Sequence, residues 1–457
     1  MSERVYEKAC RHPALEDWPD DALSVGAYVL APVLFAFAWW TLRQAREDKR
    51  ERLYFLSRDA YPAYRMAQAL CEARKIRIDC RYLYASRRAW QLPAQRLPGE
   101  AWLERVCRGG IEVSFAVMME RAGLTRAEGE AVAAELHLAR RVKEPLSRQE
   151  VQGLREPLAQ CRMFRELAAL HAAERYEGTI GYLRQEGLLE DVPYGVADSG
   201  WIGTIQESLG SLLRSAGYRG QPEGYYFGLY NLPRAACRER FHSFYFSPER
   251  GAWRKAHFSN SLFECVCMAP HGMTERYAME NGRWEPVLQP ISERRREWAQ
   301  RQSLFWTLYI EEALRDAALA ETVQESGGEK GRAATLPEEI RKLPAQRLLS
   351  GFMATPSLEE SRFYGALPFS DEATEKQLRP LAARLTQREL WEHHLALRFC
   401  RMLQLGGRPL RESGWIEGSA RLCGGALYRY HQMGIRQYKL LSYLRMQRRF
   451  YRERKVG

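Results

Sequence analysis

Three short stretches carry side chains suited to gripping a phosphorylated sugar. They are Ser57-Arg58-Asp59, Ser86-Arg87-Arg88 and Asp198-Ser199-Gly200-Trp201-Ile202-Gly203-Thr204. Guanidinium groups hold phosphate oxygens in a bidentate grip, so Arg58, Arg87 and Arg88 together suit a pyrophosphate. The third stretch reads as a Gly-rich turn entering a helix. Ile205, Leu209, Leu212 and Leu213 follow it at helical spacing. The first N–H groups of a helix are unpaired and partly positive, and such a terminus takes a phosphate. Ser199, Gly200, Trp201, Gly203 and Thr204 would form that loop. Asp198 beside it suits sugar hydroxyls or a divalent metal, and Asp59 suits a metal or the role of base. Each stretch alone also fits a structural turn or a structural Arg–Asp pair. It is their joint placement that points to a site.

A second cluster is Asn260-Ser261-Leu262-Phe263-Glu264 followed by Ala269-Pro270-His271-Gly272. Glu264 could deprotonate an acceptor hydroxyl, and His271 could do the same or contact a phosphate. A capping or surface role is the plainer reading of either residue. Other chemistries lack their residues. The Gly-rich turn has no Lys after its second Gly, so it is not a P-loop, and it is not GxGxxG. Glu392-His393-His394 lacks the spacing of a zinc protease helix. No Ser-His-Asp or Cys-His arrangement is readable.

The elements that would position these residues alternate. The pattern predicts strand Arg52–Ser57, helix Tyr61–Arg74 and strand Arg81–Ala85. Residues 99–190 read as an almost wholly helical insertion. Strand Tyr194–Ala197, a helix from Gly203 and strand Gly224–Leu229 follow. Two β-α-β units around a helical stretch predict one parallel sheet, an α/β fold in which ligands bind at the carboxyl ends of strands. All three polar stretches lie just past predicted strand ends. The expected organisation is an N-terminal helical segment over 1–50 packing on the core, an α/β core over 51–280, and a mainly helical, basic region over 281–457. A flexible break is expected at Glu325–Gly331, closed by Pro337.

Composition sets the class. The chain has 457 residues, 46% of them apolar and 28% charged, as in soluble globular proteins. Its ten cysteines form no CxxC pair, which predicts reduced thiols and a cytoplasmic setting. Residues 22–41 run 20 residues without a charge, long enough to span a bilayer. Pro32 within them predicts a break, leaving Val33–Gln44 as a buried core helix. Net charge is +12, and from Ala426 onward nine Lys/Arg face the single acid Glu453, giving +8 of that total. Tyrosines and leucines interleave with these basic residues. Such a helix suits an anionic membrane surface, and a peripheral position at its inner face is one expectation. A solvated helix docked on its own protein is the alternative. Nucleic acid is not expected, because no recognition motif accompanies the charge.

Tyr54-Phe55-Leu56-Ser57-Arg58-Asp59-Ala60-Tyr61, Tyr82-Leu83-Tyr84-Ala85-Ser86-Arg87-Arg88-Ala89 and Asp198 through Gln206, in that order, resemble a module of bacterial surface-polysaccharide proteins. That module is a glycan phosphoribosyltransferase, often fused behind a HAD-type phosphatase and labelled as a HAD-superfamily hydrolase. The resemblance covers about residues 20–275. Ala60 stands where the family more often has Gly, and Ala197 leaves one acid in the loop. No DxDxT nucleophile motif is present, so the resemblance implies the transferase without the phosphatase, a separate HAD-type phosphatase acting as its partner. It implies a phosphoribosyltransferase-like fold and transfer of 5-phosphoribose from phosphoribosyl pyrophosphate (PRPP), with Mg²⁺, to a glycan or lipid-linked glycan hydroxyl. Arg58, Arg87 and Arg88 would hold the pyrophosphate, and the 199–204 loop the 5-phosphate. Asp59 and Asp198 would hold the metal. Asp59 or Glu264 would be the base, with Glu264 and His271 near the acceptor. A phosphoester hydrolase and a non-catalytic scaffold are the competing expectations.

Overall fold

The computed structural model describes residues 1–95, 101–109, 113–233, 237–325, 344–370, 378–402 and 410–456. The break expected at Glu325–Gly331, with Pro337, falls beyond Glu325 outside the described residues. The core is a five-stranded sheet of β1 (Arg52–Leu56), β2 (Asp79–Leu83), β3 (Tyr194–Asp198), β4 (Glu223–Gly228) and β5 (Phe241–Phe246). The strand order is β2-β1-β3-β4-β5, and every neighbouring pair is parallel. Parallel strands are covered on both faces and so read as unbroken apolar runs. β1 and β3 accordingly are buried at all five positions. The fold is therefore α/β with a parallel-sheet core, a helical insertion and a mainly helical C-terminal region.

Eight helices carry the argument: α1 (Asp20–Glu47), α2 (Tyr61–Ala73), α3 (Arg87–Ala94), α4 (Arg162–Gln185), α5 (Thr204–Ser215), α6 (Asn260–Cys267), α7 (Glu293–Glu325) and α8 (Tyr428–Val456). Successive side chains of a strand point to opposite faces. Leu53 and Phe55 thus pack with α1 and α2, while Tyr54 and Leu56 pack with Trp90 of α3, Leu183 of α4 and Leu209 of α5. Between β2 and β3 the chain forms a run of helices with its own small core around Phe115, Met118, Val132 and Phe164.

The helix does not break at Pro32. It continues from Asp20 to Glu47 through a π-helical segment, Val25–Leu30, in which the Ala31 N–H reaches back to the Gly26 carbonyl. A widened turn accommodates a proline that has no N–H to give. α1 is long and apolar enough to cross a membrane, yet 72% of its most apolar stretch is buried within the protein. Phe37 meets Phe227 edge-on at 5.4 Å and Phe244 at 5.8 Å, and Phe35 meets Tyr309 of α7. The apolar run is spent on sealing one face of the sheet. Truncating Phe37 to Ala would cost about 3–5 kcal/mol.

Two elements depart from the expected pattern. β5 forms one edge of the sheet. A hairpin, β6 (Thr274–Glu280) and β7 (Arg283–Leu288), precedes α7 and turns at Asn281-Gly282, both with positive φ. The hairpin clamps the start of α3. Ser86 Oγ donates to the Thr274 carbonyl at 2.6 Å, Trp90 Nε1 donates to Tyr277 Oη at 2.8 Å, and Tyr277 stacks on Tyr182 at 4.2 Å.

Candidate active site

The strand order turns back between β1 and β3, and such a switch point opens a crevice at the carboxyl ends of the strands. A cavity of about 310 Å³ lies there. β1 delivers Ser57, Arg58 and Asp59 to it, the loop after β2 delivers Ser86 and Arg87, and β3 ends on Asp198. Ser199, Gly200, Trp201, Thr204 and Glu264 complete the part of the lining that the sequence predicts. Three stretches far apart in the chain thus meet at one rim.

The 198–204 loop is held by the end of β4 and the residues that follow it. Its carbonyls at Ser199 and Trp201 accept from Gly228 N and Tyr230 N, at 3.1 and 2.8 Å. Gly200 has φ +144°, and a Cβ there would lie 2.2 Å from the Gly228 carbonyl oxygen, so only glycine fits. Gly203, left-handed at φ +69°, precedes Thr204 as the cap of α5 with no side-chain cap bond. The first N–H groups of α5 therefore stay open at the end where Thr204 and Ile205 line the cavity. Gly203 itself is not in the lining; its role is to turn the chain into the helix against Phe241.

The carboxylates sense one another. Asp198 is buried. Burial first, then the charge of Asp59, pushes its carboxyl up to about 8. The Ser199 N–H and Arg87 pull against this shift, and Glu264 adds to it. Asp59 accepts from Ser199 Oγ at 3.2 Å, and Glu264 accepts from Trp201 Nε1 at 2.5 Å. The Trp201 ring is itself wedged by Phe258 and Phe263, at 5.2 and 5.7 Å. Asn260 and Glu264 lie four apart on α6, so both face the cavity. Arg87 is exposed at the rim and forms no ion pair with a described residue. Neighbouring carboxylates in a buried pocket repel, and a cation between Asp59 and Asp198 would relieve that repulsion. The donor set fits Mg²⁺, a hard ion that takes oxygen ligands from one or two carboxylates.

Besides Gly203, two of the predicted residues stand outside the lining. Arg88 points away from the cavity, with Nε 3.5 Å from Glu275 and Nη1 3.5 Å from the Glu120 carbonyl. Consecutive helical residues point about 100° apart, so Arg87 and Arg88 cannot share a target. His271 is bound by Tyr82 Oη at Nε2 and the Gly272 carbonyl at Nδ1, both at 2.8 Å. Burial and the nearby Arg58 hold its imidazole below the ordinary value. It supports the wall through Tyr82 and Tyr84 and is not among the lining residues.

The lining also contains Arg295 at the start of α7, together with Phe369 and Ser370. Arg295 is buried, and Nη2 contacts Met268 Sδ at 3.1 Å. Nothing local in the run Arg294-Arg295-Arg296 marks its middle member. Only the path of α7 past α6 brings it in. No protein-family model matches the chain, and no curated protein matches it.

Proposed function

We propose that the protein is a glycan phosphoribosyltransferase that moves 5-phosphoribose from PRPP to a hydroxyl of a polysaccharide acceptor, releasing pyrophosphate. The observation that carries this reading is the meeting of Arg58, Asp59, Arg87, Asp198 and the open end of α5 around one cavity at the β1/β3 switch point. Its volume is in the range of small-molecule sites. It combines an anion-binding helix terminus, three arginines and three carboxylates, of which Asp198 is buried, the chemistry that a phosphate, a pyrophosphate and a ribose require.

In this reading the α5 N-terminus and Thr204 take the 5-phosphate. Arg58 and Arg87 draw on the pyrophosphate, and Arg88, engaged with Glu275, leaves that set. Mg²⁺ held by Asp59 and Asp198 would neutralise charge building on the leaving pyrophosphate. As the C1–O bond breaks, positive charge develops at C1, and the carboxylates around the cavity stabilise it. Glu264, fixed by Trp201, takes the proton of the attacking hydroxyl, so one direct displacement inverts C1 and gives a β-linked product. His271 acts on this chemistry only through the wall it supports.

The test is phosphorus NMR of PRPP incubated with Mg²⁺, the protein and a pool of lipid-linked glycans. Pyrophosphate should form with the wild type, and hardly at all with Arg87→Ala. Unconsumed PRPP would end the proposal. Release of inorganic phosphate from ribose 5-phosphate would instead favour the hydrolase.

A further inference from the structure

α8 carries a second apolar stripe that the described residues touch only at its ends, where Tyr430 meets Trp391 at 5.0 Å and Tyr451 Oη donates to the Glu249 carbonyl at 3.2 Å. Its inner face is docked: Ile435 and Phe450 are buried, and Lys439 Nζ donates to Glu417 Oε1 at 2.6 Å. A helix lying on its own protein needs only one apolar face. Here Tyr430, Met433, Leu441, Leu444 and Tyr451 are all exposed, Met433 by 51%. Their spacing of three, eight, three and seven residues places them on one stripe within about 100° of arc. Arg429, Arg445, Arg448, Arg449 and Arg452, also exposed, run along it. At the N-terminal end of the stripe a groove of about 940 Å³ is lined by Met433, Leu440, Arg421, Arg429, Arg436 and Trp253. Trp253 is 55% exposed. The groove's one acid, Glu360, is turned to a cap, accepting from Ser357 N at 2.7 Å.

We infer that this face docks on an anionic lipid bilayer, with the stripe and Trp253 in the interfacial layer and the groove arginines on lipid phosphates. Charge selects this occupant. Residues 428–456 hold nine Lys/Arg against Glu453 alone. A second copy meeting this face across a two-fold axis would set arginines against arginines. Nucleic acid would use the arginines and leave Met433, Leu441 and Leu444 in water. An anionic bilayer matches both features: apolar side chains enter the headgroup boundary while basic ones meet the phosphates, and aromatic rings anchor at that depth. The inference is independent of the donor site, since it needs no residue of the cavity.

The experiment is co-sedimentation of the full chain with vesicles of phosphatidylcholine alone and of phosphatidylcholine containing one-third phosphatidylglycerol. Binding is expected to the second and not the first, and to fall steeply with salt. Leu441→Glu with Leu444→Glu, and separately Arg445→Glu with Arg448→Glu, should each weaken it more than about tenfold. All four residues are exposed, so unchanged circular dichroism and melting should accompany the loss. Excess glycerol phosphate should not compete; competition would assign the groove to a free phosphate and overturn the inference. So would binding undiminished from the wild type in both double variants, binding to neutral vesicles alone, or no binding. Self-association abolished by Leu441→Glu/Leu444→Glu, or duplex DNA binding that survives it, would give the face to those partners instead.

Discussion

The crevice between β1 and β3 and the outer face of α8 both gather charge, in opposite ways. In the crevice carboxylates and arginines are mixed, and Asp198 alone of the three carboxylates is buried, so burial and the charge of Asp59 are felt there as a raised proton affinity. On α8 it is guanidinium and exposed, so water and salt screen it and the fold bears almost no cost. The comparison teaches how each place is read. A buried carboxyl such as Asp198 beside a second carboxylate destabilises the empty protein once it ionises and is relieved by a cationic ligand, whereas an exposed basic stripe costs little until a partner meets it. The first should respond to pH and little to salt, and the second to salt and little to pH.

The largest expected effect follows from Asp198. Its folded-state carboxyl titrates near 8, against about 4 in the unfolded chain. Between those values the folded state holds a proton that the unfolded state releases. Its contribution is therefore full below about pH 4 and lost as pH rises toward 8. Asp198→Asn should stabilise the empty protein at pH 7.5, on the order of 1–3 kcal/mol, and flatten the pH profile, while PRPP affinity falls at least about a hundredfold. Urea unfolding across pH checks the first half. Destabilisation by this variant would make Asp198 a structural residue and break the comparison.

Gly200→Ala comes next. The clash with the Gly228 carbonyl and the positive φ should cost about 3 kcal/mol and loosen the 198–204 loop. A melting curve like that of the wild type would show that the loop is not held as described. Arg87 and Arg88 then sharpen the contrast within two adjacent residues. Arg87→Ala should weaken PRPP binding about tenfold or more with stability unchanged. Arg88→Ala, losing its contacts to Glu275 and the Glu120 carbonyl, should cost about 1 kcal/mol with affinity unchanged. Titration and thermal melting of both variants separate the cases. The smallest effect concerns Trp201→Phe. It removes the donor to Glu264 but keeps most of the ring packing, and it should raise the pH at which acceptor transfer sets in while leaving PRPP affinity within about twofold.

Much of the site was legible because its elements are locally coded. β1 and β3 are apolar at nearly every position, and the Gly-rich turn into α5 has its own punctuation, so Asp59 and Asp198 could be placed at strand ends. What failed to show depended on distance or on a missed local cue. Arg295 and Ser370 arrive from segments beyond the sheet, and no spacing near them encodes that. Arg87 and Arg88 looked equivalent until the helix starting at Arg87 set their directions apart. β5 is an edge strand, Phe241-His242-Ser243-Phe244-Tyr245-Phe246, and the turn residues Ser247-Pro248 and Gly251 that close it are a local cue that was missed. The β6/β7 hairpin did carry a signal: Asn281-Gly282 between alternating segments is the strongest short-range mark of a hairpin. At Pro32 the expected break was absorbed by a π-helical segment, because burial of the surrounding apolar run outweighs one lost hydrogen bond.

The central claim is that the crevice at Asp198 is where the donor binds. Calorimetric titration of PRPP with Mg²⁺ into the wild type and into Asp198→Asn tests it most directly. The account predicts wild-type binding on the order of micromolar, and none measurable in a variant that is folded and more stable than its parent. Equal affinity in the two proteins, or no binding by folded wild type, would contradict it.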